Sequence, residues 1–194
     1  MNDSDIGLIR DYQFAINWET ENAEVYQKPR PVAAHMRAKA DAQIESWKEM
    51  GVIEPSEGPN NIPIFFIKKG TKGDIRPILD CRAVNLETIA NRFPIPHLKD
   101  LLTNISRLIG THGKNKLYIS TTDIQSAFTQ LAVKKEDREK CAFTYNNPQW
   151  QAARCLFGLR NAPSAFCEVI ARIIDGMEDV FVLLDDVNHQ HRLG

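Results

Sequence analysis

Two acidic clusters carry the chemistry of this chain. Asp123 closes "KLYISTTD", and the Asp185–Asp186 doublet follows "VFVLL". Each acid ends a run that reads as a core β-strand. Two or three converging carboxylates supply the oxygen ligands that a pair of Mg²⁺ ions needs for phosphoryl transfer. Neither cluster decides alone. A chain of this length shows an Asp-Asp pair by chance about half the time. Asp also suits turns, and Asp123 has the makings of a helix cap. Lys68, Lys69, Lys72 and Arg76 form a third group on or beside one hairpin tip. Strand alternation puts Lys69 and Arg76 within reach of one triphosphate, although the same cations serve equally as solubility charge. Phe128 adds an aromatic beside the first acid. The set is the equipment for two-metal nucleotidyl transfer.

The elements that must position these residues follow from periodicity. Residues 1–30 read as irregular, with "QKPRP" an extended strap. Residues 33–50 predict a helix with Met36, Ala40, Ile44, Trp47 and Met50 on one face and Gly51 as its stop. "EPSEGPNN" reads as a loop. "IPIFFI" (62–67) and "IRPILDC" (75–81) predict a β-hairpin around "KKGTKGD". Residues 97–109 predict a helix that buries Leu98, Leu101, Leu102, Ile105, Leu108 and Ile109 and closes at Gly110. "KLYISTTD" (116–123) predicts a strand, and 141–145 with 150–156 a hairpin around "NNPQ". Residues 163–177 predict a helix with Pro163 in its first turn and Phe166, Val169, Ile170, Ile173, Ile174 and Met177 as its buried stripe. "VFVLL" (180–184) is the last strand, with the doublet as its turn. Only eight residues follow, about where a partner strand would be completed, so the chain reads as a piece of a longer protein.

Composition sets wide bounds. The 194 residues suffice for one sizeable core or two small lobes. Apolar residues are 43% and charged residues 25%, ordinary for a globular protein. No apolar run approaches the roughly 18 residues of a membrane helix, and the broken, acidic N-terminus is not a signal peptide. Cys81, Cys141, Cys155 and Cys167 form no CxxC and read as reduced core thiols. His189 and His191 read as a solvated pair rather than metal ligands. The net charge of −1 hides an asymmetry. Residues 61–140 carry 14 bases against 8 acids, while 1–60 carry 6 against 11 and 141–194 carry 4 against 6. A basic middle between acidic ends suits a phosphate-bearing partner.

Read in order, "IEPSEGPNNIPIFFIKKGTKGDIRPILDCRAVN", "FPIPHL", "LYISTTDIQSAFTQLAV", "CAFTYNNPQWQAARCLFGLRNAPSAFCEVI" and "VFVLLDDV" resemble the reverse transcriptase of LTR retrotransposons, of the Ty3/gypsy type. The resemblance covers about residues 28–188, and "FGLRNAPSAF" is its most telling stretch. It implies an α+β fold, the fingers and palm of a right-hand polymerase, with an antiparallel palm sheet, packed helices and no thumb. Residues 1–27 would be an N-terminal extension, 28–96 and 131–150 the fingers, and 97–130 and 151–194 the palm. Asp123, Asp185 and Asp186 match the catalytic, metal-binding acids, and Ile124 a backbone-carbonyl ligand. Lys69, Arg76, Phe128, Phe157 and Gly158 match residues that hold the incoming deoxynucleotide, Phe128 as the gate against a ribose 2′-hydroxyl.

The implied activity is RNA-directed DNA synthesis by nucleotidyl transfer from dNTPs to a primer 3′-hydroxyl. Two Mg²⁺ ions would serve as cofactors, with Mn²⁺ as a substitute. The implied partners are an RNA or DNA template with primer and the remaining Pol segments (thumb, ribonuclease H, integrase). The implied location is intracellular, cytoplasmic in particles or nuclear. Leu183 stands where most relatives have Tyr, and Cys81 where an aromatic is usual. The tail "NHQHRLG" does not look like the family's next strand. A truncated, non-catalytic remnant that only binds nucleic acid is the alternative. A kinase or other nucleotide enzyme lacks its P-loop or Rossmann fingerprint.

Overall fold

The computed structural model describes residues 6–69, 74–113, 117–183 and 186–192. In chain order the elements are β1 (Gln13–Phe14), α1 (Arg37–Glu49), β2 (Ile53–Pro55), β3 (Ile64–Lys69), β4 (Asp74–Leu79), α2 (Arg82–Glu87), α3 (Leu98–His112), β5 (Leu117–Asp123), β6 (Ala132–Val133), β7 (Phe143–Thr144), β8 (Gln149–Ala152), α4 (Ala162–Ile173), β9 (Val180–Leu183) and β10 (Asp186–Arg192). They form two compact units. The first comprises Met1–Ala90 with Phe128–Ala162, and the second Asn91–Ala127 with Pro163–Gly194. This division differs from the sequence reading at four places, the shortest being Phe128–Gln130, which group with the first unit. Residues 151–162 group with the first unit, because β8 pairs with β2 and β7 there. Residues 91–96 group with the second. Residues 6–27 are built into the first unit rather than appended to it.

Backbone and buried polar groups weave that N-terminal segment in. β1 pairs in parallel with β6, setting Gln13 beside Ala132 and Phe14 beside Val133. The Ile16 amide donates to Asp137 Oδ2 (2.9 Å), and Lys140 Nζ donates to Asp137 Oδ1 (2.6 Å) and to the Ile16 carbonyl (2.7 Å). Farther along, the Val25 amide donates to Asn60 Oδ1 (2.8 Å). Asn61 Nδ2 donates to the Gln27 carbonyl (2.6 Å), and Thr144 Oγ1 donates to Asn61 Oδ1 (2.7 Å). Buried amides must find partners, and here they are spent on holding the strap. Phe14 and Ile16 then bury fully.

The rest of the first unit follows local rules more closely. α1 buries Ala40 and Ile44. It ends as expected at Gly51, whose φ of +65° few other residues adopt cheaply. The Val52 amide closes that end on the Trp47 carbonyl (2.8 Å). The next residues form β2, the edge partner of β8, where a loop was expected beyond Ile53. β7 and β8 join through Asn146 and Asn147, both with positive φ (50° and 78°), as a tight twisted hairpin requires. β3 and β4 form the expected hairpin, with Ile67 opposite Arg76 and Lys69 opposite Asp74. Its tip, including Lys72, lies outside the described residues.

In the second unit, α3 packs against the sheet of β5, β10 and β9. His97 and Asp100 form a reciprocal cap at the start of α3. The helix runs through Gly110 to His112 and stops at Gly113 (φ +82°). Its apolar stripe is only partly covered. Leu108 is buried, but Leu98, Leu102 and Ile109 are exposed. At about 100° per residue, Leu101 and Leu108 lie at one margin of the apolar arc and Leu102 and Ile109 at the other, so a helix seated on the first margin leaves the second open. α4 buries Phe166, Val169 and Ile170 but ends at Ile173, leaving Ile173 and Met177 exposed. Gly176 (φ +78°) turns the chain toward β9.

The largest departure is the tail. Residues 186–192 form β10, the central strand of this sheet, bonded to β5 on one side and β9 on the other. The sequence reading missed it because its residues are polar. A strand between two others is held by backbone ladders, which no side-chain pattern announces.

Asp137 is the joint that ties the N-terminal segment to the body of the first unit. Asp137→Ala leaves the Ile16 amide and the Lys140 ammonium without their acceptor. Unfolding in urea is expected to show a loss of about 2–4 kcal/mol, with Asp137→Asn, which keeps one acceptor oxygen, losing less.

Candidate active site

The acids come together through strand register. β5 delivers Asp123 as its last residue, and β10 begins with Asp186. The antiparallel ladder makes Asp123 and Asp186 direct partners. Directly opposed positions in such a ladder have Cα atoms about 4.5–5.5 Å apart. Sixty-two residues of chain are thereby closed to one ladder rung. On the other side Asp186 pairs with Leu183, so only Leu184 and Asp185 connect β9 to β10. Asp186 is thus the first residue of β10, and Asp185 lies outside the described residues. Asp123 is exposed, and Ile124, the first residue past β5, is half-buried. Among the described residues no group of three or more His, Cys, Asp or Glu side chains gathers as a metal site.

The first unit assembles a second group. Phe157 stands on the loop after β8, 47% exposed. The Phe128 and Phe157 rings meet edge to face, with centroids 5.2 Å apart and planes at 80°, the favoured geometry for an aromatic pair. The Arg76 guanidinium lies over the Phe157 ring at 5.9 Å, near the limit of a cation–π contact. Three of the residues singled out from sequence are therefore neighbours. Lys69 occupies a register position diagonal to Arg76 on the same hairpin.

Gly158 follows with φ +101°, a backbone conformation that favours glycine. A Cβ there would lie 3.5 Å from both Cys81 Sγ and the Leu79 carbonyl oxygen. Cys81 thus packs as a small buried group behind the glycine, where burial first and the neighbouring Asp80 charge second push its thiol up to about 12. Asp80 beside it is 6% exposed. It accepts two hydrogen bonds from Arg82 (2.7 Å each) and one from Arg30 (3.1 Å). The Arg82 bonds chiefly, against a burial penalty, hold its carboxyl below the ordinary 3.8. Arg30 also lies over the Phe65 ring at 5.9 Å.

Sequence reasoning missed the bracket that holds this loop. Asn85 Nδ2 donates to the Gly158 carbonyl (2.7 Å), and Asn85 Oδ1 accepts from the Arg160 amide (2.8 Å). The Arg160 guanidinium reaches the carbonyls of Asn85 (3.3 Å) and Thr88 (3.0 Å), and Asn161 Nδ2 donates to the Ile89 carbonyl (2.7 Å). The signal available was Asn161, a polar residue heading an apolar helix, since a buried amide implies a partner. Which partner, 72 residues away, was not legible.

The reverse transcriptase (RNA-dependent DNA polymerase) family model matches residues 67–191, a span that contains both groups except Arg30 and Phe65. The chain belongs to the reverse transcriptase family. It is 31% identical over 169 residues to the Retrovirus-related Pol polyprotein from transposon opus of Drosophila melanogaster, a match that covers 84% of the chain and 16% of that relative. It is 30% identical over 174 residues to the counterpart from transposon gypsy of the same organism, covering 86% of the chain and 16% of the relative. The chain therefore spans about a sixth of these relatives' length. The fold is shared with solved reverse transcriptases. The foamy viral protease-reverse transcriptase in complex with an RNA/DNA hybrid superposes with a TM-score of 0.79 at 22% identity, over 98% of this chain and 24% of that one. The selenomethionine-labelled prototype foamy virus protease-reverse transcriptase gives 0.78 at 22% identity, also over 98% and 24%. These are the α+β fingers-and-palm relatives that the sequence resemblance implied.

Asp80 gives the reverse transcriptase fold a titratable brace. Its depressed folded pKa means that its contribution is fully present above 3.8, its ordinary value, and is lost as pH falls through the lower folded value. The stability difference between wild type and Asp80→Asn, followed by urea unfolding from pH 7 downward, is expected to hold to about pH 5 and to shrink below pH 4.

Proposed function

We propose that this chain is the fingers–palm portion of an RNA-directed DNA polymerase that transfers deoxynucleotides to a primer 3′-hydroxyl. The observation that carries this reading is the ladder pairing of Asp123 with Asp186. Reverse transcriptases use divalent metal ions, and the donor set here fits Mg²⁺. That ion binds oxygen, favours one or two protein carboxylates, and completes its shell with water and substrate phosphates. Asp123, Asp186 and Asp185 would hold it as carboxylates, with the Ile124 carbonyl beside them. Mn²⁺, which favours the same oxygen donors, would substitute. Bound there, two such ions would make the primer oxygen more nucleophilic and offset charge on the triphosphate.

The remaining roles fall to the second group, the one in the first unit. Arg76 offers a planar fork of donors to the phosphates as negative charge builds on them, and Lys69 adds a second cation. Phe157 gives the nucleotide an apolar surface. Phe128, leaning on it, would close the space a ribose 2′-hydroxyl needs. Gly158 leaves room beside them. An RNA or DNA template with its primer would be held mainly through phosphates, hence with little sequence preference. The foamy viral relatives solved in complex with double-stranded DNA and with an RNA/DNA hybrid support that partner class.

Primer extension on an RNA template with Mg²⁺ or Mn²⁺ tests the reading. Asp123→Asn and Asp186→Asn are each expected to cut extension at least about a thousandfold, the scale of losing several kcal/mol of charge stabilisation. Undiminished extension by both would overturn it. Duplex binding without extension by the unmutated chain would favour the remnant that only binds nucleic acid. Phe128→Val is expected to admit ribonucleotides roughly tenfold or more better relative to deoxynucleotides, read from competing incorporation of UTP and dTTP.

A further inference from the structure

The loop that presents Phe157 has no regular secondary structure of its own, yet its ring must be held to a fraction of an ångström to act on a nucleotide. We propose that Asn85 is the positioning residue for that loop, fixing the nucleotide-facing ring through both faces of one side-chain amide. This rests on the nucleotide-platform reading of Arg76, Phe128 and Phe157.

The geometry is reciprocal. Asn85 donates to the carbonyl of Gly158 and accepts from the amide of Arg160. One planar group therefore reads two backbone positions two residues apart, 73 and 75 residues away in the chain. Such a pair of bonds sets position and rotation together, which a single bond cannot. Gly158 is the residue immediately after Phe157, and its φ of +101° is one that glycine adopts freely, so the loop's local sequence does not fix its direction. Arg160 adds the opposite half of the bracket, donating back to the carbonyls of Asn85 and Thr88. Asn85 itself rides on α2, whose Val84 is fully buried and accepts at its carbonyl from the hydroxyl of Thr88, the residue just past the helix (2.7 Å). The bracket therefore transmits the rigidity of a packed helix to an exposed ring. Asn85 touches neither Phe157 nor Arg76 in any hydrogen bond or ring contact described above. Its effect on substrate would pass through the loop backbone.

The isosteric Asn85→Asp separates position from fold. The Asp side chain keeps an acceptor for the Arg160 amide but turns a carboxylate oxygen toward the Gly158 carbonyl, where a donor is needed. Asn85→Ala removes both bonds. Binding of dTTP to the full 194-residue chain in Mg²⁺ is measured by titration calorimetry, with UTP alongside, and Phe157→Ala and Arg76→Ala serve as controls. Both Asn85 variants are expected to weaken dTTP about tenfold, or about 1.4 kcal/mol. They should also narrow the dTTP-over-UTP preference, because Phe128 leans on the ring that shifts. Thermal midpoints should stay within about 3 °C of wild type. Amide exchange at Arg160 should accelerate in Asn85→Ala and stay slow in Asn85→Asp. Weakened dTTP binding in the controls with wild-type binding in both Asn85 variants would overturn the proposal and leave the platform reading intact. Unaltered binding in the controls as well would remove that reading and the proposal with it. Loss of binding in both Asn85 variants only alongside collapse of the thermal midpoint would make Asn85 a folding residue and overturn the positioning role.

Discussion

Strand register is the constraint on which the acidic group depends. β10 lies between β5 and β9, so each of its residues from Asp186 to His189 has a ladder partner on both sides. A slip of one residue against β5 would set Asp186 opposite Thr122 or Ile124 and would reverse the face of every side chain on the strand. The ladder to β9 holds the same strand from its other side, with Asp186 opposite Leu183 and His189 opposite Val180. Two acids from distant parts of the chain are thus aligned by main-chain hydrogen bonds and not by their own attraction, which for like charges would be repulsive.

The first unit solves a different problem. Its aromatic and cationic residues stand on a hairpin and a loop, neither of which is rigid by itself. Rigidity is imported through polar side chains with distant partners. Asp137 reaches Ile16 across 121 residues, and Asn85 reaches Gly158 across 73. A bond of this kind is worth little net when made, but at the buried Asp137 leaving the partner unsatisfied is expensive. That asymmetry is what makes these networks specify one arrangement. Cys81 plays the apolar counterpart. Its small side chain fills the space behind Gly158 without crowding the glycine.

Parts of this architecture were readable in advance. The β3–β4 hairpin, β5 and β9 are apolar or β-branched runs bounded by turn residues, and α1 stops at the glycine that periodicity predicted. The chemistry-bearing residues announced themselves by type and context, Asp123 and the doublet after strand-like runs, Arg76 beside a hairpin tip. The helix ends were less legible. Gly110 lies inside α3 because glycine merely tolerates a helix interior, whereas Gly113 terminates it with a positive φ that only the backbone reveals. The buried stripe of α3 was overcounted because amphipathicity reports which residues prefer cover and not how wide a neighbour will cover them.

What the sequence determined by itself was the inventory: an α+β reverse-transcriptase chain, the acids, cations and rings it brings, and the local elements that carry them. Side-chain type and short-range periodicity are properties of neighbouring residues, so they survive in one dimension. The tertiary structure alone decided that 186–192 would be the central strand, that residues 6–27 would be stitched into the first unit, and that Asp186 would be the ladder partner of Asp123. Those outcomes rest on backbone groups and buried amides pairing across scores of residues, and every backbone N–H and C=O is the same whichever partner it meets.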